Sequence, residues 1–367
     1  AAWTSSSTNV PRPPPMISDA RLGYRPNPAY PEHDANGFRN PVVPANAEIV
    51  ALGDSQTYGT GVMPDEAWPR QLQALTGSTV YSMAFGGWGP THSLALLDDA
   101  IGLKPRLIIE AFYFGNDLYD SFNMVYNRNQ LQALADPAAR AAVTMAESTE
   151  SLATKVAGLY RRGELYPQQT GVRHFLAVHS KIYGLLRAAW YTLKARIVSN
   201  DGEYEWRDLL ARVAADPKMF EVFDQDGRRT MFSSEYRLVG LNLEDVRIAE
   251  GARISLNAIL NMKGICDKQG IRFLVILLPT KERVFRAFVT HPSLSYVGII
   301  RNEEKLQAMA ARLFATNGID YVDMLPALEQ QLGTGKSPYK SSHDDHPNAI
   351  GQLVIARAVQ AQIIAQD

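Results

Sequence analysis

The stretch EIVALGDSQTYGTGV, residues 48–62, decides how the rest of the chain is read. An apolar run ends at Leu52 and is followed at once by Gly53, Asp54 and Ser55. A short apolar run closed by a turn signal marks a strand buried on both faces. Glycine lets the chain turn sharply at the strand's end, and a small hydroxyl residue then follows. Such a junction is either an ordinary turn or a device for presenting a nucleophile at the edge of a sheet. The rest of the sequence favours the second reading.

Working outward, WPRQLQALTG has helical spacing, with Pro69 in its first turn and Gly77 as its stop. STVYSM (78–83) reads as a second strand and ends in FGGWGP. THSLALLDDAIG is the next helix, and PRLIIEAFYF (105–114) a third strand ending at GND. The alternation then stops and resumes at Val246. A long helix runs to about Gln269, followed by the strand IRFLVILL (271–278) and a helix near EEKLQAMAARLFATNG. The strand IDYVDM (319–324) and a last helix through NAIGQLVIARAVQAQII complete the pattern.

Five strands separated by helices predict a three-layer α/β/α sandwich with a mostly parallel sheet. Right-handed crossovers leave few topologies, and the expected strand order is flavodoxin-like. Residues 1–45, rich in Pro, Asn and Gly, read as an irregular arm. The core is expected over 46–120 and 246–367, interrupted by a mainly helical insertion over 121–245. In such sheets, sites form beyond the carboxyl ends of the strands. Glycine-rich turns fall there three times in succession: GDS, GGWG and GND.

Composition narrows the function classes. A net charge of -1 gives no reason to expect a nucleic-acid partner. No apolar stretch approaches the roughly 18 residues needed to span a bilayer. The single cysteine, Cys266, reads as a buried structural thiol. The first residues lack the basic and apolar regions of a signal peptide. Their abrupt start is compatible with a removed export signal or anchor, so an extracytoplasmic location is expected.

The chemistry gathers at the turns. A serine hydroxyl is a poor nucleophile until a base takes its proton. Near the C-terminus, YKSSHDDHPNAIG supplies His346 as that base and Asp344 to fix its tautomer. Three donors are available for a tetrahedral oxyanion: the N–H of Ser55, the N–H of Gly87 and the side chain of Asn116. Ser55 also suits a helix N-cap, and a residue at a helix start can play both parts. Asp54 reads as a structural hydrogen-bonding residue, and Asp345 is expected to point away from the site. No metal is expected, because His343, Asp344, Asp345 and His346 are successive residues that cannot all face one ion. No cofactor is expected either.

Four blocks, GDSQTYG, AFGGWG, FGND and DDHPN, occur in the order found in the SGNH (GDSL-type) esterase family, which the chain resembles over 46–120 and 246–367. The resemblance implies Ser55 as nucleophile, Gly87 and Asn116 as oxyanion donors, and His346 with Asp344 as its partner. Phe114, Ser82 and Ala84 stand where the family usually has Gly, Asn and Gly. The family's acid often lies three residues before its histidine, here His343. Asp344, at two before, resembles the polysaccharide O-acetyltransferase relatives of alginate systems. LLPTKERV (277–284), LGYRPNP and NGFRN are also similar to bacterial SGNH proteins of cell-surface polysaccharides.

These likenesses imply a serine esterase that cleaves an ester, with O-acetyl on a carbohydrate as the expected substrate. The alternatives are an O-acetyltransferase with a polysaccharide acceptor and a degenerate glycan-binding domain. Either goes with a cell-envelope polysaccharide system as partner. His92 is expected to line the cleft or to sit on the surface at a helix start. Lys281 and Arg283 read as solvated helix-end charges. The insertion's aromatics, Tyr160, Trp190, Tyr191, Trp206 and Phe220, read as helical core packing rather than a sugar platform.

Overall fold

The computed structural model describes residues 13–163, 201–215 and 220–365. The arm carries a short antiparallel hairpin, β1 (Met16–Asp19) and β2 (Gly23–Pro26), before irregular chain leads into the sheet. Then come β3 (Ile49–Gly53), the one-turn helix α1 (Ser55–Tyr58), α2 (Trp68–Thr76) and β4 (Val80–Ala84). They are followed by α3 (Pro90–Gly102), β5 (Leu107–Tyr113) and α4 (Asp117–Phe122). Between residues 121 and 245 lie α5 (Arg140–Thr149), α6 (Leu152–Gly163), α7 (Asp201–Ala215), the hairpin β6 (Glu221–Gln225) and β7 (Arg228–Phe232), and α8 (Ser234–Leu241). The chain closes with α9 (Val246–Lys268), β8 (Arg272–Leu278), α10 (Lys281–Phe285), α11 (Leu294–Asn317), β9 (Asp320–Asp323), α12 (Leu325–Gly333) and α13 (Ala349–Ile364).

The five-stranded sheet has the order β4-β3-β5-β8-β9, with every pairing parallel. Counted along the chain this is 2-1-3-4-5, the flavodoxin-like order expected from the sequence. β3, β4, β5 and nearly all of β8 are buried on both faces because helices cover both, while the edge strand β9 is partly exposed. Val50, Leu52, Ile108, Phe112, Val275 and Leu277 pack on one side against Leu96 and Leu97 of α3 and Ile248 and Ile259 of α9. On the other side Ile49, Ala51, Ile109 and Ile276 meet Trp68 and Leu72 of α2 and Ile355 and Val359 of α13.

Three differences from the sequence expectation have local causes. The arm is not wholly irregular: Asp19 Oδ1 accepts from the N–H groups of Arg21 and Leu22 and closes the turn of the first hairpin. The insertion is not wholly helical, since Asp226 and Gly227 both take positive φ. That pair is the one a two-residue type I′ hairpin turn uses. Helix α11 starts well before the EEKL stretch because Ser293 caps it, accepting from Tyr296 N at 3.1 Å.

Asn40 of the arm deals with an edge strand. Its amide donates to Ser82 O at 2.9 Å and accepts from Ser82 N at 3.0 Å. One side chain thus makes both bonds that a further strand would make to the middle of β4.

Candidate active site

The turn after β3 is built from Gly53 and Asp54. Gly53 has φ +147°, and a Cβ there would lie 2.6 Å from Thr57 Oγ1. Asp54, fully buried, caps α1 by accepting from Gln56 N at 2.9 Å. Ser55 is therefore not the cap but the first helical residue, and its hydroxyl is left to the cleft. Gln352 of α13 ties this turn down: its Nε2 donates to Gln56 O at 3.1 Å while its Oε1 accepts from Trp68 N at 2.9 Å.

Ser55 Oγ lies 2.9 Å from His346 Nε2, and His346 Nδ1 lies 2.6 Å from Asp344 Oδ1. An ionised Asp344 can only accept, so Nδ1 carries the proton and Nε2 is free to accept from the serine. Burial alone would push the Asp344 carboxyl up. The His346 hydrogen bond and charge, the His346 N–H and Lys340 outweigh it and hold the carboxyl well below its usual range. The acid is thus ionised at neutral pH. Asp54 Oδ2 stands 3.2 Å from Ser55 Oγ, but burial pushes its carboxyl up to about 6.

The loop bearing Asp344 and His346 is held from beneath. Lys281 Nζ, fully buried, donates to Met231 O at 2.7 Å, Asp344 O at 3.1 Å and Ser342 O at 3.2 Å. Asp345 turns away from the site and pairs with Arg237 of α8, and its Oδ1 is 3.5 Å from Lys281 Nζ. The hairpin β6–β7 adds Met231 N and Thr230 Oγ1, both bonded to Ser342 O. Lys281 and Arg283 are both buried, which corrects their reading as solvated charges. In place of bulk water, Lys281 is solvated by a ring of carbonyl oxygens. His343 faces the Phe220 ring at 5.3 Å. The four side chains from 343 to 346 therefore diverge, and no metal-ligating group of three or more His, Cys, Asp or Glu occurs among the described residues.

The glycine loop lies against Ser55: a Cβ on Gly86 would be 3.8 Å from Ser55 Cβ. Gly87 has φ +71° and suits no other residue well. Asn116 directly precedes α4, at the end of β5, which is the sheet neighbour of β3. Its Nδ2 donates to Asp120 Oδ2 at 2.5 Å. His92 neither lines the cleft nor lies on the surface. It is buried and stacked on Trp88 at 5.6 Å, and its Nδ1 accepts from Gly89 N at 3.2 Å. Burial pushes its pKa down to about 3, so the ring is neutral. The residues that stood for the family's usual Gly, Asn and Gly are absorbed by packing: Phe114 and Ala84 are buried, and Ser82 is bound by Asn40.

Of the insertion's aromatics, Trp206 and Phe220 pack with Leu209, Val213 and Met231. Tyr160 is largely exposed, and Trp190 and Tyr191 lie outside the described residues. Sequence reasoning missed Tyr24, Asn40, Asp120, Arg237 and Gln352. Only Asp120 left a local signal, standing at i+4 from Asn116, on one helical face. The others act across long stretches of chain.

No protein-family model matches the chain, and no curated protein matches it. Solved structures do align with it at low likeness. An extracellular lipase from Streptomyces rimosus is 12% identical, with 86% of this chain and 99% of that chain covered and a TM-score of 0.42. A GDSL-like lipase from Bacteroides thetaiotaomicron is 11% identical, with 87% and 88% covered and a TM-score of 0.36. A catalytic mutant of an acetylxylan esterase from Geobacillus stearothermophilus is 10% identical, with 88% and 95% covered and a TM-score of 0.37.

Proposed function

We propose that the protein is a serine esterase of the SGNH type. The observation that carries this is the chain Ser55 Oγ–His346 Nε2 at 2.9 Å and His346 Nδ1–Asp344 at 2.6 Å, at the carboxyl end of a parallel strand. Nucleophile, base and orienting acid are each within hydrogen-bond reach, as the chemistry requires.

Ser55 Oγ attacks the ester carbonyl carbon as its proton passes to His346 Nε2. The carbonyl electrons move onto oxygen, and that oxyanion accepts from the N–H groups of Ser55 and Gly87 and from Asn116 Nδ2. Collapse breaks the bond to the leaving alkoxide, which takes the proton from His346. Water then attacks the acyl-Ser55 with His346 as base, the free acid leaves and the serine is restored. Ionised Asp344 stabilises the imidazolium in both halves. On this reading each developing charge has a group assigned to receive it, and preorganised stabilisation of that kind supplies most of the acceleration in such sites.

The substrate we propose is an O-acetyl group on a carbohydrate, in keeping with the Asp344-x-His346 spacing and the motifs similar to cell-surface polysaccharide proteins. An extracytoplasmic setting goes with that reading. The test is acetate release from an acetylated oligosaccharide. Wild type should turn over, and Ser55→Ala should lose on the order of 10³-fold or more in kcat. Full activity in Ser55→Ala would overturn the proposal. Adding an unacetylated oligosaccharide in the same assay reads the alternative: acetylated acceptor in place of free acetate would make the protein a transferase.

A further inference from the structure

Two side chains outside the reacting groups each grip one of the oxyanion donors. Tyr24, on β2 of the arm, places its hydroxyl 2.7 Å from Gly87 O and 3.0 Å from Gly86 O. A phenol has one proton to donate, so the two carbonyls share it. The peptide plane that carries Gly87 N–H begins at the Gly86 carbonyl, and a hydrogen bond to that oxygen fixes the tilt of the plane. A Cβ on Gly87 would meet Tyr24 Oη at 2.5 Å, so the fit leaves no slack. The ring is held in turn. Arg128 lies over its face at 5.2 Å and Phe85 meets its edge at 6.2 Å. Burial, with Asp120 nearby, pushes the phenol pKa far up, so the group remains a donor.

On a second donor, Asp120 accepts one of the two Nδ2 protons of Asn116. An acceptor at this place fixes which end of the amide carries nitrogen and stops its rotation. The second N–H remains for the oxyanion.

We propose that Tyr24 and Asp120 are positioning residues of the oxyanion hole, Tyr24 acting through the Gly86–Gly87 peptide and Asp120 through Asn116. The N-terminal hairpin is thereby a working part of the catalytic device. This rests on the esterase reading above. Each acts through the donor it holds rather than on the substrate in this proposal, so binding should be spared. A displaced donor affects the step in which charge develops on oxygen, and misplacement by about 1 Å can cost as much as 10²-fold.

The experiment is steady-state hydrolysis of p-nitrophenyl acetate by the full chain, with folding checked by thermal denaturation. Tyr24→Phe should lower kcat by about tenfold, with KM within about twofold of wild type. Asp120→Ala should do the same, and Asp120→Asn, which keeps an acceptor oxygen, should recover part of the loss. In an Asn116→Ala background, Asp120→Ala should add nothing further, while Tyr24→Phe should keep its full effect. A merely structural role would not give that split. Wild-type turnover with unchanged kcat in both single variants, or with additive losses for Asp120→Ala and Asn116→Ala, would overturn this inference alone. Wild type without turnover would overturn the esterase reading and this inference together. Should Tyr24→Phe not fold, the Asp120 and Asn116 set decides by the same criteria.

Discussion

At the scale of single residues, the site depends on which groups carry charge. Asp344 is held ionised and keeps the His346 proton on Nδ1, so removing its charge while keeping its shape should leave the fold and weaken the chemistry. Asp344→Asn is expected to lower kcat on the order of 10³- to 10⁴-fold, measured by ester hydrolysis with the melting temperature as control. Glu110 is the opposite case. It lies on β5, fully buried, with the Ser93 side chain as its hydrogen-bonding neighbour and no cation among the described residues to balance a charge. Burial pushes its pKa up to about 8. The folded protein therefore keeps a proton that the unfolded chain releases near the ordinary glutamate pKa. The folded state binds more protons between those values, so stability falls as pH rises through them. Glu110→Gln removes the titration. It should raise the melting temperature at pH 8 by at least about 2 °C and change it little near pH 5. An equal shift at both pH values would refute this account of Glu110.

At the scale of elements, the loop from Ser337 to His346 is positioned by groups from three other segments. Lys281 at the start of α10 binds its carbonyls, Arg237 of α8 holds Asp345, and β7 bonds to Ser342. Lys281→Met should cost about 3 kcal/mol or more, because it strands buried carbonyls and removes a charge facing Asp345. Chemical denaturation measures the stability, and turnover should fall with it as the base loses its support. This is also where the sequence was least legible. Lys281 and Arg283 follow a strand, as solvated helix-end charges do, and nothing local shows that a hairpin 50 residues earlier covers Lys281 or that α11 covers Arg283. Short-range signals were readable. Gly77 ends α2 in a left-handed conformation as expected, and the Asp226–Gly227 pair was a hairpin signal that the helical character of its surroundings hid.

At the scale of the whole molecule, the parallel sheet explains why three glycine-bearing turns meet. Strands β3, β4 and β5 are sheet neighbours, so their carboxyl ends present Ser55, the glycine loop and Asn116 side by side. Periodicity made the five strands legible and the crossover rule their order, while the candidate site residues were legible from the turns at the strand ends and the four family-like blocks. The arm's contribution was not legible. Tyr24 and Asn40 act across 63 and 42 positions of chain, and a Pro- and Asn-rich stretch gives no sign of what it covers. Removing the residues before Ala45 should bare the edge of β4 and the outer face of the glycine loop. The truncated protein is expected to self-associate in size-exclusion chromatography and to lose turnover. A monomeric, fully active truncation would show that the arm is dispensable.

The central claim is that Ser55 is an activated nucleophile, and covalent labelling tests it most directly. Intact-mass analysis after a fluorophosphonate probe should show a single adduct on wild type and none on Ser55→Ala. An adduct that persists in the folded variant, or a folded wild type that takes no label, would contradict it.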